Sequence, residues 1–324
     1  MQCNLIIDGN YILNKNVFVL DKIGKLYGEL YKSLEISTNK YKKLYNFNKI
    51  FFVSDLKEKS WRKDMMTDYK QQRKRDVDID WEWVYQCYAD YKSALKKELC
   101  VLEYPHIEGD DWISFLVKKA NMNGESTIIV SNDYDIKQLM TYSLEPSYIN
   151  IMINEMHFNN KVFIPKNYNV FFNYIENKPN TLFNMNNDIN FIKTLRDFIS
   201  LYKTEEIDNV KSLMMKMISG DKSDNIQSAF VQIKNDKKRG IGNRGAEKIY
   251  EDYINEYGDI ERLDDNVFEN MAYIICKRKR VSKNNIYDIT TNIKNNNKLI
   301  NLDIQNLPMN IVNMMNEEYK KVVK

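Results

Sequence analysis

Cys3 to Asp8 reads CNLIID, a short apolar run that closes on a carboxylate. Two other stretches repeat the pattern: Lys49 to Asp55 (KIFFVSD) and Thr127 to Asp133 (TIIVSND). A continuous apolar run of this length, ended by polar residues, fits a strand buried on both faces, as in a parallel sheet. Between the runs lie amphipathic stretches: Lys22 to Tyr45, Trp81 to Leu99 behind the N-cap candidate Asp80, and Asp110 to Met122. Strand and helix in alternation predict an α/β core with a parallel sheet and right-handed crossovers. Ligands of such sheets bind outside the carboxyl ends of the strands, where Asp8, Asp55 and Asp133 all fall.

Further along, Ser147 to Ile153 and Lys161 to Ile164 read as strands, and the Asn-rich stretch Asn167 to Asn190 as a linker or insertion. Helical periodicity follows over Phe191 to Tyr202, Ile207 to Ile218, Gly245 to Tyr257 and Asp259 to Cys276. Leu213 to Met217 reads as helix core, Asn292 to Lys298 as a low-complexity loop, and Leu307 to Tyr319 as a last helix. A chain of 324 residues predicts two packed units, and 43% hydrophobic with 12% aromatic residues excludes global disorder. The apolar runs are far shorter than the roughly 18 residues of a membrane span, and Met1 to Asn4 opens no signal peptide, so a cytoplasmic protein is expected. Cys3, Cys87, Cys100 and Cys276 form no CxxC pair and read as reduced thiols; neither His106 nor His157 is placed like a zinc ligand.

The net charge of +3 says little, but its distribution says more. Lys57 to Arg75 holds eight basic and three acidic residues, Lys234 to Lys248 holds six and two, and Lys277 to Arg280 is a four-residue basic run. Single-sign patches in a near-neutral chain point to docking surfaces for a polyanion; each patch alone could equally be a solvated helix face.

The acidic groups carry the chemistry: Asp8, Asp55, Glu108, Asp110 and Asp111 in EGDD, Asp133 and Asp135 in SNDYD, Asp221 and Asp224 in GDKSDN. Any one of them has an ordinary reading as a turn or helix-cap residue. Together they put several carboxylates at one sheet edge, where two such charges about 6 Å apart repel by roughly 3 kcal/mol at an effective dielectric near 20. Hard divalent cations supply the counter-charge, with oxygen ligands and retained waters.

At these residues the chain resembles the flap endonuclease and 5′ nuclease superfamily. The motifs are Asp8-Gly9; Asp55 followed by Arg62, Tyr69-Lys70 and Arg73; Glu108 to Asp111; Asp133 to Asp135 with Gln138-Leu139; Gly220 to Asn225; and Gly240-Ile241-Gly242 with Ala246 and Lys248-Ile249. Within the superfamily the pattern is most similar to the branch of 5′ to 3′ ribonucleases H of T-even-like bacteriophages. The resemblance implies a PIN-like α/β nuclease core over residues 1–205 with a helical arch at 57–80, and a helical helix-three-turn-helix DNA-binding region over 206–324. It implies cleavage of DNA flaps, nicked or gapped duplexes and RNA–DNA hybrids in phage replication, by a monomer using two Mg²⁺ ions for which Mn²⁺ can substitute. Asp55 and Asp110, with Asp8 behind a water, would hold one ion, and Asp133 and Asp135, with Asp221 outside them, the other. Glu108, Asp111 and Asp224 complete the metal set. Arg62, Lys70 and Arg73 would stabilise the charged transition state, while Gly240, Gly242, Arg244 and Lys248 grip duplex phosphates. A single-strand-binding protein or sliding clamp would be the protein partner. The segment from Asp224 to Gly240 is longer and more basic than the usual link to the glycine turn. Two other readings remain: a noncatalytic DNA-junction-binding protein, whose signature would be a lost central carboxylate, and a PIN-like single-strand ribonuclease, which lacks arch and glycine turn.

Overall fold

The computed structural model describes residues 2–44, 46–73, 78–140, 148–156, 159–165, 203–234 and 236–323. The Asn-rich stretch 167–190, the predicted helix 191–202, His157, Lys74 and Arg75 lie outside the described residues. Two compact units result. One comprises residues 1–60, 76–207 and 302–324, the other residues 61–75 and 208–301.

The first unit is built on a seven-stranded sheet in the order β3-β2-β1-β4-β5-β6-β7. Its strands are β1 (Cys3–Asp8), β2 (Lys49–Val53), β3 (Cys100–Leu102), β4 (Ser126–Val130), β5 (Asn150–Met156), β6 (Asn159–Pro165) and β7 (Lys203–Ile207). All neighbouring pairs are parallel except β5 with β6. The register sets Asp8 beside Val53, so the first carboxylate ends β1 level with the end of β2. Successive residues of a strand face opposite ways. Leu5 and Ile7 accordingly join a core with Ile12 and Val17 of α1 (Gly9–Lys22), Leu30 and Leu34 of α2 (Leu26–Lys42), and Val84 and Tyr88 of α4 (Trp81–Leu95). The expected cap holds: Asp80 Oδ1 accepts the amides of Glu82 and Trp83. The other sheet face is covered by α5 (Gly109–Met122), with Trp112 and Phe115 buried, and by α10 (Met309–Val322), whose Tyr319 stacks on Phe51 at 6.1 Å and meets Phe115 edge-on at 5.7 Å. Residues 302–324 therefore belong with the first unit and not with the helical region expected over 206–324.

The second unit is a helical core: α6 (Asn209–Ser219), α7 (Asn243–Tyr257), α8 (Asp265–Lys279) and α9 (Ile286–Ile300), packed through Met214, Met217, Ile249, Met271 and Ile275. Residues 61–73, with the single-turn helix α3 (Arg62–Met65), belong to this unit, which reassigns most of the arch. The stretch Asn292 to Lys298 is helical, not a loop: Asn292 Nδ2 donates to Ala229 O at 3.0 Å, and Asn296 Nδ2 to Met217 O and Gln227 O, both at 2.9 Å. Between α6 and α7 the chain forms an antiparallel hairpin, β8 (Val231–Lys234) and β9 (Lys237–Gly240). Among the described residues no helix is long and apolar enough to cross a membrane.

Candidate active site

Asp8 ends β1 and caps α1, its Oδ1 accepting the amide of Tyr11 at 3.0 Å. Its Oδ2 accepts the Ser131 hydroxyl at 2.7 Å, and Ser131 Oγ in turn accepts the Asp133 amide at 3.1 Å. One serine past the end of β4 thus ties the first and third strand-end carboxylates together. Only 6% of Asp8 is exposed, and burial pushes its pKa up to about 6 against the pull of the Tyr11 amide and the Ser131 hydroxyl; the negative charges of Asp55 and Asp133 push the same way as burial. Asp8 therefore feels the charge of both other strand-end aspartates.

Asp55 lies two residues beyond β2, and its Oδ1 accepts the Gly109 amide at 2.6 Å while its own amide donates to Asn10 Oδ1 at 3.3 Å. The approach is close: a Cβ at position 109 would sit 3.2 Å from Asp55 Oδ1 and 3.3 Å from Asn10 Nδ2, so both side chains would have to give by a few tenths of an ångström. That contact fixes the start of α5 against Asp55 and brings Asp110 to the same edge. Glu108 and Asp111 close a capping box, in which Asp111 Oδ2 accepts the Glu108 amide at 3.1 Å. Asp111 has no exposed surface. Asp133 repeats the capping role at the helical turn Tyr134–Leu139, accepting the Asp135 amide at 2.8 Å, and stays exposed.

Asp221 and Asp224 lie in the second unit, each beside a cation of its own. Asp221 accepts from Lys216 Nζ at 2.7 Å and from Ser223. Burial works to raise its pKa, but Lys216 and Ser223 outweigh it and hold the carboxyl below the ordinary range. Asp224 pairs with Arg73 Nη2 at 2.5 Å and accepts the Tyr69 hydroxyl at 3.0 Å, and its carbonyl receives the Lys70 amide. Asn225 Nδ2 reaches the Asp68 carboxylate at 2.8 Å. The segment carrying the expected arch cations is thus stitched along the GDKSDN loop. Arg62 departs most from its expected role. Only 2% exposed, it donates from Nε to Leu299 O at 3.0 Å and lies 4.6 Å over the Trp61 ring, a packing position rather than a phosphate-facing one.

Downstream, Ile241 is buried and Gly242 is the N-cap of α7, with Arg244 and Lys248 exposed on the first turns of that helix. Sequence reading passed over two lysines of the first unit. Lys15, two helical turns beyond Asp8, has its pKa lowered by burial, and Lys40 has its pKa lowered by burial and by the charge of Lys15. For Lys15 the legible signal was a basic residue four positions after Tyr11, on the helix that opens from Asp8.

An all-carboxylate donor set suits a hard divalent cation. Among the described residues no three His, Cys, Asp or Glu side chains are grouped tightly enough to ligate one ion unaided.

Known proteins share this architecture. A flap endonuclease of bacteriophage T5, solved in complex with DNA and metal ions, superposes with a TM-score of 0.63 at 14% identity over 99% of this chain and 98% of its own. The 5′-exonuclease of T5 with bound zinc gives 0.58 at 17% identity over the same shares. At those identities the match speaks for the fold, a PIN-like α/β nuclease core. By sequence, the chain is 31% identical to a 5′-3′ exonuclease of Buchnera aphidicola from Acyrthosiphon pisum over 43% of this chain, an alignment that spans 49% of the relative. A second Buchnera 5′-3′ exonuclease, from Schizaphis graminum, aligns at 24% identity over 84% of this chain and 94% of its own. Ribonuclease H of Enterobacteria phage T4 is 29% identical over 34% of this chain and 38% of its own. The profile of the 5′-3′ exonuclease N-terminal resolvase-like domain matches residues 4–168, the span that holds every strand-end carboxylate from Asp8 to Asp135, and by that match the chain belongs to the 5′-3′ exonuclease family.

Proposed function

We propose that this chain is a divalent-metal-dependent, structure-specific 5′ nuclease that cleaves DNA flaps, nicked and gapped duplexes and RNA hybridised to DNA. The observation that carries the reading is the coupled set Asp8, Asp55 and Asp133 at the carboxyl ends of three adjacent parallel strands, with its elevated proton affinity at Asp8. Asp8, Asp55, Asp110, Asp133 and Asp135 would hold the metal, with Mg²⁺ as the ion and Mn²⁺ as a substitute. When bound, such ions lower the pKa of water to make a nucleophile and neutralise charge on the phosphate.

The chain's own residues set the geometry. Ser131 and the Tyr11 amide hold Asp8 in one orientation, and the Gly109 amide holds Asp55. Lys15 and Lys40 would form a cationic pair suited to a phosphate, the charge of Lys15 being felt at Lys40. The glycine turn and α7 grip the duplex through backbone amides, which do not read sequence. The biological setting in this reading is removal of primers and flaps during phage DNA replication, in the host cytoplasm, by a monomer assisted by a single-strand-binding protein or sliding clamp.

Single-turnover cleavage of a 5′-labelled flap and of an RNA-primed duplex, with and without Mg²⁺, tests the proposal. Cleavage of both should need the metal and should fall by several orders of magnitude in Asp55→Asn and Asp133→Asn while duplex binding persists. Metal-independent cleavage, or wild-type rates in both variants, would refute it.

A further inference from the structure

We infer that the hairpin β8–β9 is a second duplex-DNA contact, reached through its Gln232, Lys237 and Arg239 face. The inference rests on reading the adjoining glycine turn as a duplex clamp, and it extends that clamp to residues the motif does not include.

The register decides which side chains share a face. Val231 pairs with Gly240, Gln232 with Arg239, Ile233 with Lys238 and Lys234 with Lys237. Partners across an antiparallel pair point the same way. One face therefore carries Gln232, Lys237 and Arg239, two cations and an amide, and the other carries Val231, Ile233 and Lys238. Lys237, Lys238 and Arg239 are all exposed, and none forms an ion pair with a described residue. Among the described residues these charges stand on a two-stranded ribbon without an ion-pair partner. They fit a polyanion, and the face with two cations fits it better than the face with one cation beside Ile233, which is 75% exposed.

The hairpin is also held rigidly to the turn it precedes. Ser228 Oγ donates within reach of Ile218 O and Phe230 O, both at 3.0 Å, and accepts the Ile241 amide at 2.9 Å. Gly240 lies so close to this serine that a Cβ there would stand 2.7 Å from Ser228 Cβ. Asn292 Nδ2 and the Ile218 carbonyl fix the next residue, Ala229. The base of the hairpin and the start of the glycine turn are thus one pinned junction, and β9 runs directly into it. A duplex strand lying at the Gly242 amide continues onto the cationic face without a break.

The test is the salt dependence of binding by the full chain to a fluorescent nicked duplex, in EDTA so that nothing is cleaved. The variants are K237S/R239S, K238S as a single-charge control on the opposite face, and K248A in the glycine-turn helix, each checked by circular dichroism and thermal melting. Each lost phosphate contact lowers the log-log slope by about 0.9. The paired variant should therefore lose roughly 1.8, K248A about 0.9, and K238S nothing. The charge-keeping pair K237R/R239K should retain the wild-type slope. A wild-type slope for K237S/R239S beside a reduced one for K248A would overturn the hairpin contact, as would an equal fall in K238S. A wild-type slope for K248A with a reduced one for K237S/R239S would sink the glycine-turn reading and uphold the hairpin.

Discussion

Asp8 is kept in its fold at a cost that pH can switch. Its folded pKa of about 6 lies above the unfolded carboxylate value of roughly 3.9, so the folded chain binds the proton more tightly. Stability from this group is fully present below the unfolded pKa and is lost as pH rises through 6. A shift of about two units corresponds to no more than about 3 kcal/mol. Metal-free protein should accordingly lose melting temperature between pH 4 and pH 7, and Asp8→Asn should flatten that part of the profile. An unchanged profile in the variant would place the loss elsewhere. Arg62 makes the opposite case, a charge whose work is structural. Arg62→Ala removes a buried donor from Leu299 O and the packing over Trp61, which should cost about 2 to 4 kcal/mol in urea unfolding. Arg73→Ala, with more than half its side chain exposed, should cost under about 1 kcal/mol. If Arg62→Ala kept its stability and lost only cleavage, the packing role would fall. The strand-end position of these aspartates was legible because three apolar runs each close on a carboxylate, although each one alone also reads as a helix cap. Arg62 was not, because nothing local distinguishes a basic residue on a surface from one threaded into a core.

At the scale of elements, α9 shows where reading by composition fails. Asn is a weak helix former, and a run of it looks like a loop. Here the helix is set by Ile289, Ile293, Leu299 and Ile300, and two of its asparagines satisfy carbonyls in the last turn of α6 and in the loop after it. Asn296→Leu would leave Met217 O and Gln227 O without that donor in a buried place. A loss of about 2 kcal/mol is expected by urea unfolding, with helix content retained. No loss would mean that water replaces the amide. Strand β7 escaped notice for a related reason: Lys203 to Ile207 is the edge of the sheet and mostly exposed, so it needs no apolar alternation and reads as polar linker. The hairpin β8–β9 likewise buries almost nothing, and its short strands are fixed by pairing and by Ser228 rather than by a hydrophobic pattern. The central strands β1, β2 and β4 were legible because each is buried on both faces.

For the molecule as a whole, the division into units cuts across chain order, which periodicity alone does not reveal. Residues 302–324 follow the helical unit yet pack in the first one, where Tyr319 covers Phe51 and Phe115, the Val322 carbonyl meets Cys100 Sγ, and the Leu302 amide donates to Gln138 at 3.1 Å. Truncation after Asn301 should therefore weaken hydrogen-exchange protection in β2, β3 and α5 and leave α6 and α8 protected. Loss of protection in both units to the same degree would contradict that assignment.

The same arrangement bears on synthesis. A ribosome making this chain delivers all of residues 208–301 before the segment that closes over Phe51 and Phe115. A nascent chain paused at Asn301 would already hold all of residues 61–75 and 208–301, while the sheet of the first unit still lacked the cover over Phe51 and Phe115. In that interval the nuclease half, although begun first, is the part exposed to chaperones and proteases.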